Sequence, residues 1–389
     1  MTLTETLDSQ TIQTNHIVEG QDLAAARARM RGYIQLVATG PELSKSLDEQ
    51  QAEDAMTLIL DGLIDPVQTG IFLIALRMKR ETDDENLGVL NALDKRLNKA
   101  TAKADQVLTL TDPFNGYVRG APMTAFLPPV LAACGLPTYS HGLQTVGPKY
   151  GITSQRILQM AGKDVAANVD QAAQRLSSDE VGWAYLDQKQ IIPQLHDLAG
   201  LRDIMVKRTC LTTLEVVLKP ISGQHQSHLM TGFVHKAYPP VYAQLAKRAG
   251  FDSAMIVRGV EGGCIPSLSQ VSRYFGYHQF GGLQLNKLSP QSLGIKCDHR
   301  MVPLHEEHER VLANASYDNP ALIDPVIETV LESGLNALSN QPGAALDSLV
   351  YGAAIALTHT AIGTTIEQSA DLARQAIASG EALARFNQG

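Results

Sequence analysis

Aromatic residues make up only 5% of the 389-residue chain, and Trp183 is the single tryptophan. The cores must therefore be built from Ala, Leu, Ile and Val rather than from stacked rings. Cysteine is equally scarce: Cys134, Cys210, Cys264 and Cys297 stand far apart with no C-x-x-C pair. That argues against a zinc cluster or a disulfide framework and suits a reducing cytoplasm. No stretch approaches the roughly 18 uninterrupted apolar residues of a membrane span. Positions 1–21 are polar, rich in Thr, Gln, Ser and Asn, without the basic-then-apolar order of a secretion signal. A cytoplasmic, non-membrane protein with a flexible tail over 1–21 is the expectation. Positive charge is also in deficit, 32 Lys and Arg against 40 Asp and Glu for a net charge of −8, so a nucleic-acid partner requires a local basic patch. The G-x-S-x-G, P-loop and G-x-G-x-x-G patterns are all missing.

Apolar residues at 44% and charged residues at 19% are ordinary for a globular protein, and the length exceeds what one core fills, so two domains are expected. From Leu23 to about Ala104 apolar residues recur at three- and four-residue spacing, as in Met56, Leu58, Ile59, Leu60 and Ile71, Phe72, Ile74, Ala75. Asp65-Pro66 reads as a cap followed by proline at the first helical position, and Thr82-Asp83-Asp84-Glu85 as a capping box. At Val107 the period changes. Val107–Thr111, Val181–Leu186, His228–His235 and Ala254–Val257 read as strands, Pro240–Ala249 as a helix, and Ile366–Ala384 as a closing helix. Pro128-Pro129 calls for a kink or a late helix start. The fold class is α/β: a small all-helical domain over 22–104, to which helices from about 190–220 are added, and a larger α/β domain over 105–389. The latter should hold a central, mostly parallel sheet flanked by helices.

In such sheets ligands sit beyond the carboxyl ends of strands, which singles out three glycine-rich loops. Asp112 to Gly120 offers Arg119 as a cation and Asn115 as a partner for hydroxyls, with Asp112, Gly116 and Gly120 shaping the turn, against the alternative of an ordinary turn. His141-Gly142 with Lys149 offers a second anion contact, against a structural turn. Arg258, Gly259 and Glu261 form a third loop, against a solvated one. His299, His305 and His308 lie among Glu306, Glu307 and Glu309 but lack the H-E-x-x-H spacing, so no metal site is assigned and a solvated helix face is preferred.

Leu47–Leu76 followed by Arg77-Met78-Lys79-Arg80-Glu81-Thr82, and Ala373–Ala384 near the end, resemble the anthranilate phosphoribosyltransferases, whose fold is shared with pyrimidine nucleoside phosphorylases. The resemblance implies a homodimer through the helical domain and a phosphorylated ligand with magnesium at the cleft. It places His141-Gly142 on the family's K-H-G-N and Arg202 on an arginine contacting the aromatic acid, with pairing of Arg202 to Asp197 or Asp203 as the alternative. Arg208-Thr209 and Pro220 match a further family segment.

The departures fall on the chemistry. Asp112-Pro113-Phe114-Asn115-Gly116 stands where the family has G-T-G-G-D, Pro122-Met123-Thr124-Ala125 replaces N-I-S-T, and Ser140 and Leu143 flank His141-Gly142. Cys264-Ile265 replaces the acidic pair that holds magnesium. The resemblance thus implies a divergent paralogue with no assigned catalytic residue and no assured cofactor, magnesium lacking its usual ligands. It would bind a phosphorylated ribose or nucleotide-type ligand through Asp112, Asn115, Gly116, Arg119, Gly120, Thr124, His141, Gly142, Lys149, Arg202, Arg258, Gly259 and Glu261. If active, it would be a pentosyl or phosphoribosyl transferase. Arg258-Gly259-x-Glu261-Gly262 also looks like R-G-T-E-G of bacterial paralogues, some of which bind nucleic acid. In that reading Lys207, Arg208, Lys219, Arg258, Lys287 and Lys296 would converge on one groove.

Overall fold

The computed structural model describes residues 22–40, 42–315 and 317–389; the expected tail over 1–21 lies outside them. The chain divides into two compact units, with the division between Lys95 and Arg96.

The first unit is helical. A helix over 22–37 precedes Glu49–Leu60, Pro66–Lys79 and Asp83–Asp94. Each of these three starts where its cap residue dictates. Asp48 and Gln51 close a reciprocal capping box, Asp65 accepts the Gln68 amide with Pro66 in the first turn, and Thr82 and Glu85 close a second box. Glu85 does more than cap. Fully buried, it accepts from the Thr82 amide (2.8 Å), the Leu47 amide (2.9 Å) and Lys79 Nζ (2.6 Å), so one carboxylate ties three segments together. Phe72 and Leu73 are buried inside this unit, whereas Val67, Ile71 and Met78 of the same helix are 70%, 46% and 77% exposed.

The second unit is α/β. Its strands are β1 (Ala100–Thr101), β2 (Gln106–Thr111), β3 (Thr138–Gly142), β4 (Trp183–Asp187), β5 (Ile221–Ser222), β6 (Gln226–Gly232), β7 (Ser253–Val257), β8 (Ser272–His278) and β9 (Gln284–Leu288). β1 and β5 pair in parallel as a two-stranded sheet. That pairing breaks the helical pattern expected to run to about Ala104 and belongs with the second unit. The helices of 188–217 also lie in this unit. The main sheet has the order β4-β3-β2-β6-β7-β8-β9, parallel through β7 and antiparallel over β8 and β9. Leu108, Leu110, Met230, Met255 and Val257 on its strands are buried against Leu127, Val130, Leu131 and the long helices Pro320–Leu338 and Ala344–His359. The helix expected around Pro128-Pro129 does start late, at Leu127, with the prolines in its first turn. The closing helix is two helices, Ile366–Ala378 and Glu381–Gln388, because Gly380 adopts φ 80° between them.

Beneath the amino-terminal ends of β6 and β7 lies a histidine cluster. His228 Nδ1 and His359 Nε2 both reach the Ser253 hydroxyl, at 2.7 and 3.1 Å, and His228 Nε2 meets the Gln106 amide oxygen at 3.0 Å. His278 stacks on His359 with ring centroids 4.0 Å apart. Burial pushes His228 down to about 4 and His359 down to about 3. His141 is likewise held near 4 by burial.

Because these imidazoles are neutral in the folded chain but titrate near 6.5 when unfolded, the unfolded state binds more protons between those values. Stability is therefore full above about pH 6.5 and falls as the pH drops toward 4. Urea midpoints measured from pH 7.5 to 4 should decline over that window, and less steeply in His359→Gln.

Candidate active site

The main sheet changes direction between β2 and β6: from β2 the chain steps outward through β3 to β4, then returns to the other side of β2 with β6 and β7. Loops leaving the carboxyl ends of strands on either side of such a switch diverge and leave a crevice. Here the loops after β2, β3, β6 and β7 contribute to a cleft of about 470 Å³ whose lining includes Arg119, Lys149, Arg208, Phe233, Arg258, Gly259 and Glu261, joined by Arg300, Met301 and Glu309 from a later segment. Five fixed cations thus meet two carboxylates, in a chain whose net charge is −8.

Glu261 organises the cleft. Its Oε1 accepts from the amides of Arg119 at 2.7 Å and Val118 at 3.1 Å, while Oε2 pairs with Lys149 Nζ at 2.5 Å. The Glu261 side chain is 6% exposed and that of Lys149 15%. Lys149 Nζ also donates to the Gly116 carbonyl at 2.6 Å. Burial lowers the Lys149 pKa, with Glu261 opposing. The backbone of Glu261 sits in the left-handed region, φ 55° and ψ 14°, a conformation costing a residue with a side chain roughly 1–2 kcal/mol. Strain of this kind persists only where the surrounding contacts hold it.

Of the residues expected from sequence, Arg119, Lys149, Arg258, Gly259 and Glu261 come together in the cleft. The others lie elsewhere. Asn115 is buried, and with its amide oxygen turned to Arg208 it accepts from that guanidinium at 3.0 and 3.1 Å. Gly116, at φ 72°, has its α-carbon against the backbone of Gly151 and Ile152, where any Cβ would lie 2.5 Å from a carbonyl carbon. Its glycine serves loop-to-loop packing rather than the approach of a phosphate. Gly120 faces Met301, and Gly142 faces the Tyr185 hydroxyl.

Asp112 ties the loop after β2 to the loop after β7 by accepting the Cys264 amide at 3.1 Å. Burial raises its pKa, against the pull of Thr124, Tyr117 and Cys264. Thr124 is buried and borders a separate cavity of about 20 Å³. His141 is buried, with Nε2 on the Leu218 carbonyl at 3.2 Å and the Phe114 ring edge-on at 5.5 Å.

Arg202 is corrected on both counts. It pairs with neither Asp197 nor Asp203: its two terminal nitrogens grip Glu215 at 2.7 and 2.8 Å in a buried, bidentate pair, which Gln188 joins at 3.2 Å. A guanidinium already satisfied by one carboxylate in the interior is not displayed to a ligand. Arg300 and Met301 of the cleft carry no motif signal of their own; Arg208 stands out through its place in the Arg208-Thr209 match and in the basic series. Of the basic series proposed to converge, Arg208 and Arg258 line the cleft, and Lys219 is turned onto the Gly250 carbonyl at 2.6 Å.

Residues 31–96 match the model of the glycosyl transferase family, helical bundle domain. Over 347 residues the chain is 26% identical to the anthranilate phosphoribosyltransferase of Sphingopyxis alaskensis, covering 89% of this chain and 96% of that one. The chain is thus similar to anthranilate phosphoribosyltransferases over most of its length. An uncharacterized protein of Aquifex aeolicus is 27% identical over 283 residues, 72% of this chain and 81% of its own length. In fold, the chain superposes on the Thermus thermophilus enzyme with a TM-score of 0.69 at 19% identity, covering 92% and 97% of the two chains. The Saccharomyces cerevisiae enzyme solved in complex with PRPP and Mg gives 0.69 at 16% identity, covering 92% and 96%. Where that family's acidic pair would fall by motif, this chain has Cys264, fully buried with its thiol on the Thr111 carbonyl at 2.9 Å, and Ile265, packed on the core. A thiol raised far above its ordinary range by burial and an alkyl side chain do not make a hard-cation site.

Removing either member of the Arg202–Glu215 pair strands a buried charge, at a cost of roughly 3–5 kcal/mol. Arg202→Ala should therefore lower stability in urea by that order without a ligand being present. The double variant Arg202→Met with Glu215→Leu should lose much less.

Proposed function

We propose that the cleft binds a phosphorylated ribose or nucleotide-type anion in a manner independent of magnesium, with orthodox anthranilate transfer absent. The single observation carrying this reading is the convergence of Arg119, Lys149, Arg208, Arg258 and Arg300 on one crevice at the switch point of the sheet. Guanidinium groups recognise phosphate oxygens through paired N–H donors. Related support comes from the yeast enzyme of the same fold, which was solved with PRPP and Mg. The donor set at Cys264 and Ile265 does not fit magnesium, so no step is routed through the metal. With His141 buried and neutral and Arg202 committed to Glu215, no group in the cleft is assigned to catalysis.

A second reading, a nucleic-acid backbone as the anion, is favoured by one feature: Arg119, Arg208, Arg258 and Arg300 are exposed rather than enclosed around a small molecule. The two separate by salt dependence, since each phosphate contact along a polymer steepens it. A homodimer is also proposed, formed through the helical unit. Val67, Ile71 and Met78 lie four and seven residues apart, on one exposed stripe of Pro66–Lys79, and such a stripe in a capped helix needs a partner.

Calorimetry with phosphoribosyl pyrophosphate should give binding that is weakened by Arg258→Ala and is the same with or without magnesium. Strong magnesium-dependent heat would overturn the metal-independent reading, and preferential, steeply salt-sensitive binding of single-stranded oligonucleotides would favour the second. Sedimentation at micromolar concentration should give twice the 42.0 kDa chain mass, reverting toward the monomer in Ile71→Glu with Met78→Glu. A monomeric wild type would remove the dimer.

A further inference from the structure

The cleft already contains a largely buried anion of its own. Two consecutive backbone amides, those of Val118 and Arg119, point at one carboxylate, and the Lys149 ammonium closes on its other oxygen. Successive amides converging with a cation form the type of concavity that binds phosphate and carboxylate oxygens. Here the occupant is the chain's own Glu261, delivered from the facing loop by a left-handed backbone. We propose that this is a self-occupied anion site, in which Glu261 stands in for a phosphate group and a phosphorylated ligand must displace it to reach the Val118 and Arg119 amides and Lys149. The proposal rests on the reading of the cleft as an anion site and adds the residue that regulates it.

The physical reason for a stand-in is the cost of an unfilled cradle. Two amides with no acceptor would lose their hydrogen-bonding energy, and a largely buried ammonium left with only the neutral Gly116 carbonyl would lose its counter-charge, whereas Glu261 serves all three. The same contact makes the empty cleft selective. A singly charged or poorly fitting anion exchanges one carboxylate for an equal, whereas a polyanion gains the exposed Arg119 and Arg258 side chains as well. Once displaced, Glu261 leaves a strained backbone conformation free to relax.

The test is calorimetric titration of the full chain with inorganic pyrophosphate. Glu261→Gln keeps the acceptor but removes the charge. Glu261→Gly removes the side chain at a position whose φ favours glycine, so the loop keeps its path if the glutamine variant fails to fold. Each should bind pyrophosphate more tightly than wild type by roughly tenfold or more, the order expected from losing one competing charge-assisted contact. Adding Lys149→Met to either should abolish the gain. If the folded variants bind no tighter than wild type while Arg258→Ala still weakens wild-type binding, Glu261 is a brace and the self-occupied site is wrong, with the anion cleft standing. If neither wild type nor the variants take up pyrophosphate, the reading of the cleft falls and the inference falls with it.

Discussion

The loops around the sheet switch point are held to one another by the Glu261 carboxylate. It joins the segment after β7 to the two amides that follow β2 and to the lysine that follows β3, and Lys149 returns the link to Gly116. Loops at a sheet switch point diverge by geometry, so some contact has to bridge them. A charge-assisted bridge in a low-dielectric pocket is strong because each partner would otherwise be stranded. Asp112 makes a parallel tie from the loop after β2 to the Cys264 amide. The arrangement turns glycines that look like ligand contacts into packing positions, as at Gly116 against Gly151.

Much of the architecture was legible because the local signals and the tertiary structure agree. Asp65-Pro66 and Thr82–Glu85 start helices for reasons confined to one turn, and the strands β2 and β7 announce themselves by runs of β-branched and aliphatic residues. The chain is silent where burial is two-sided: Ala344–His359 is apolar nearly all round, so no amphipathic stripe marks it, and β8 and β9 alternate too weakly to separate from loop. The run from Ile366 to Ala384 keeps its helical period through Gly380, so only the positive φ there divides it.

The candidate site was half legible for a related reason. Composition identifies polar, glycine-bearing loops, and Arg119, Lys149, Arg258 and Glu261 do meet. What it cannot express is which way a side chain turns. Arg202 and Asn115 have the chemistry of ligand contacts, yet Glu215 and Arg208, thirteen and ninety-three positions away by number, satisfy them first. The likeness to anthranilate phosphoribosyltransferases identifies the fold while the substitutions at Cys264 and Ile265 change the donors available, and the two statements rest on different residues.

The Ser253 hydroxyl beneath the sheet carries a single proton but faces two imidazole nitrogens, on His228 and His359. It can donate to one ring and must accept from the other. The Gln106 amide oxygen settles which: it can only accept, so Nε2 of the neutral His228 bears the hydrogen and Nδ1 is bare, and the Ser253 hydroxyl donates to His228 and accepts from Nε2–H of His359. The hydrogen bonds therefore run one way, from His359 on a long carboxyl-terminal helix through Ser253 and His228 to Gln106 at the start of β2, so the proton placement on the helix is dictated by an amide on a strand of the sheet.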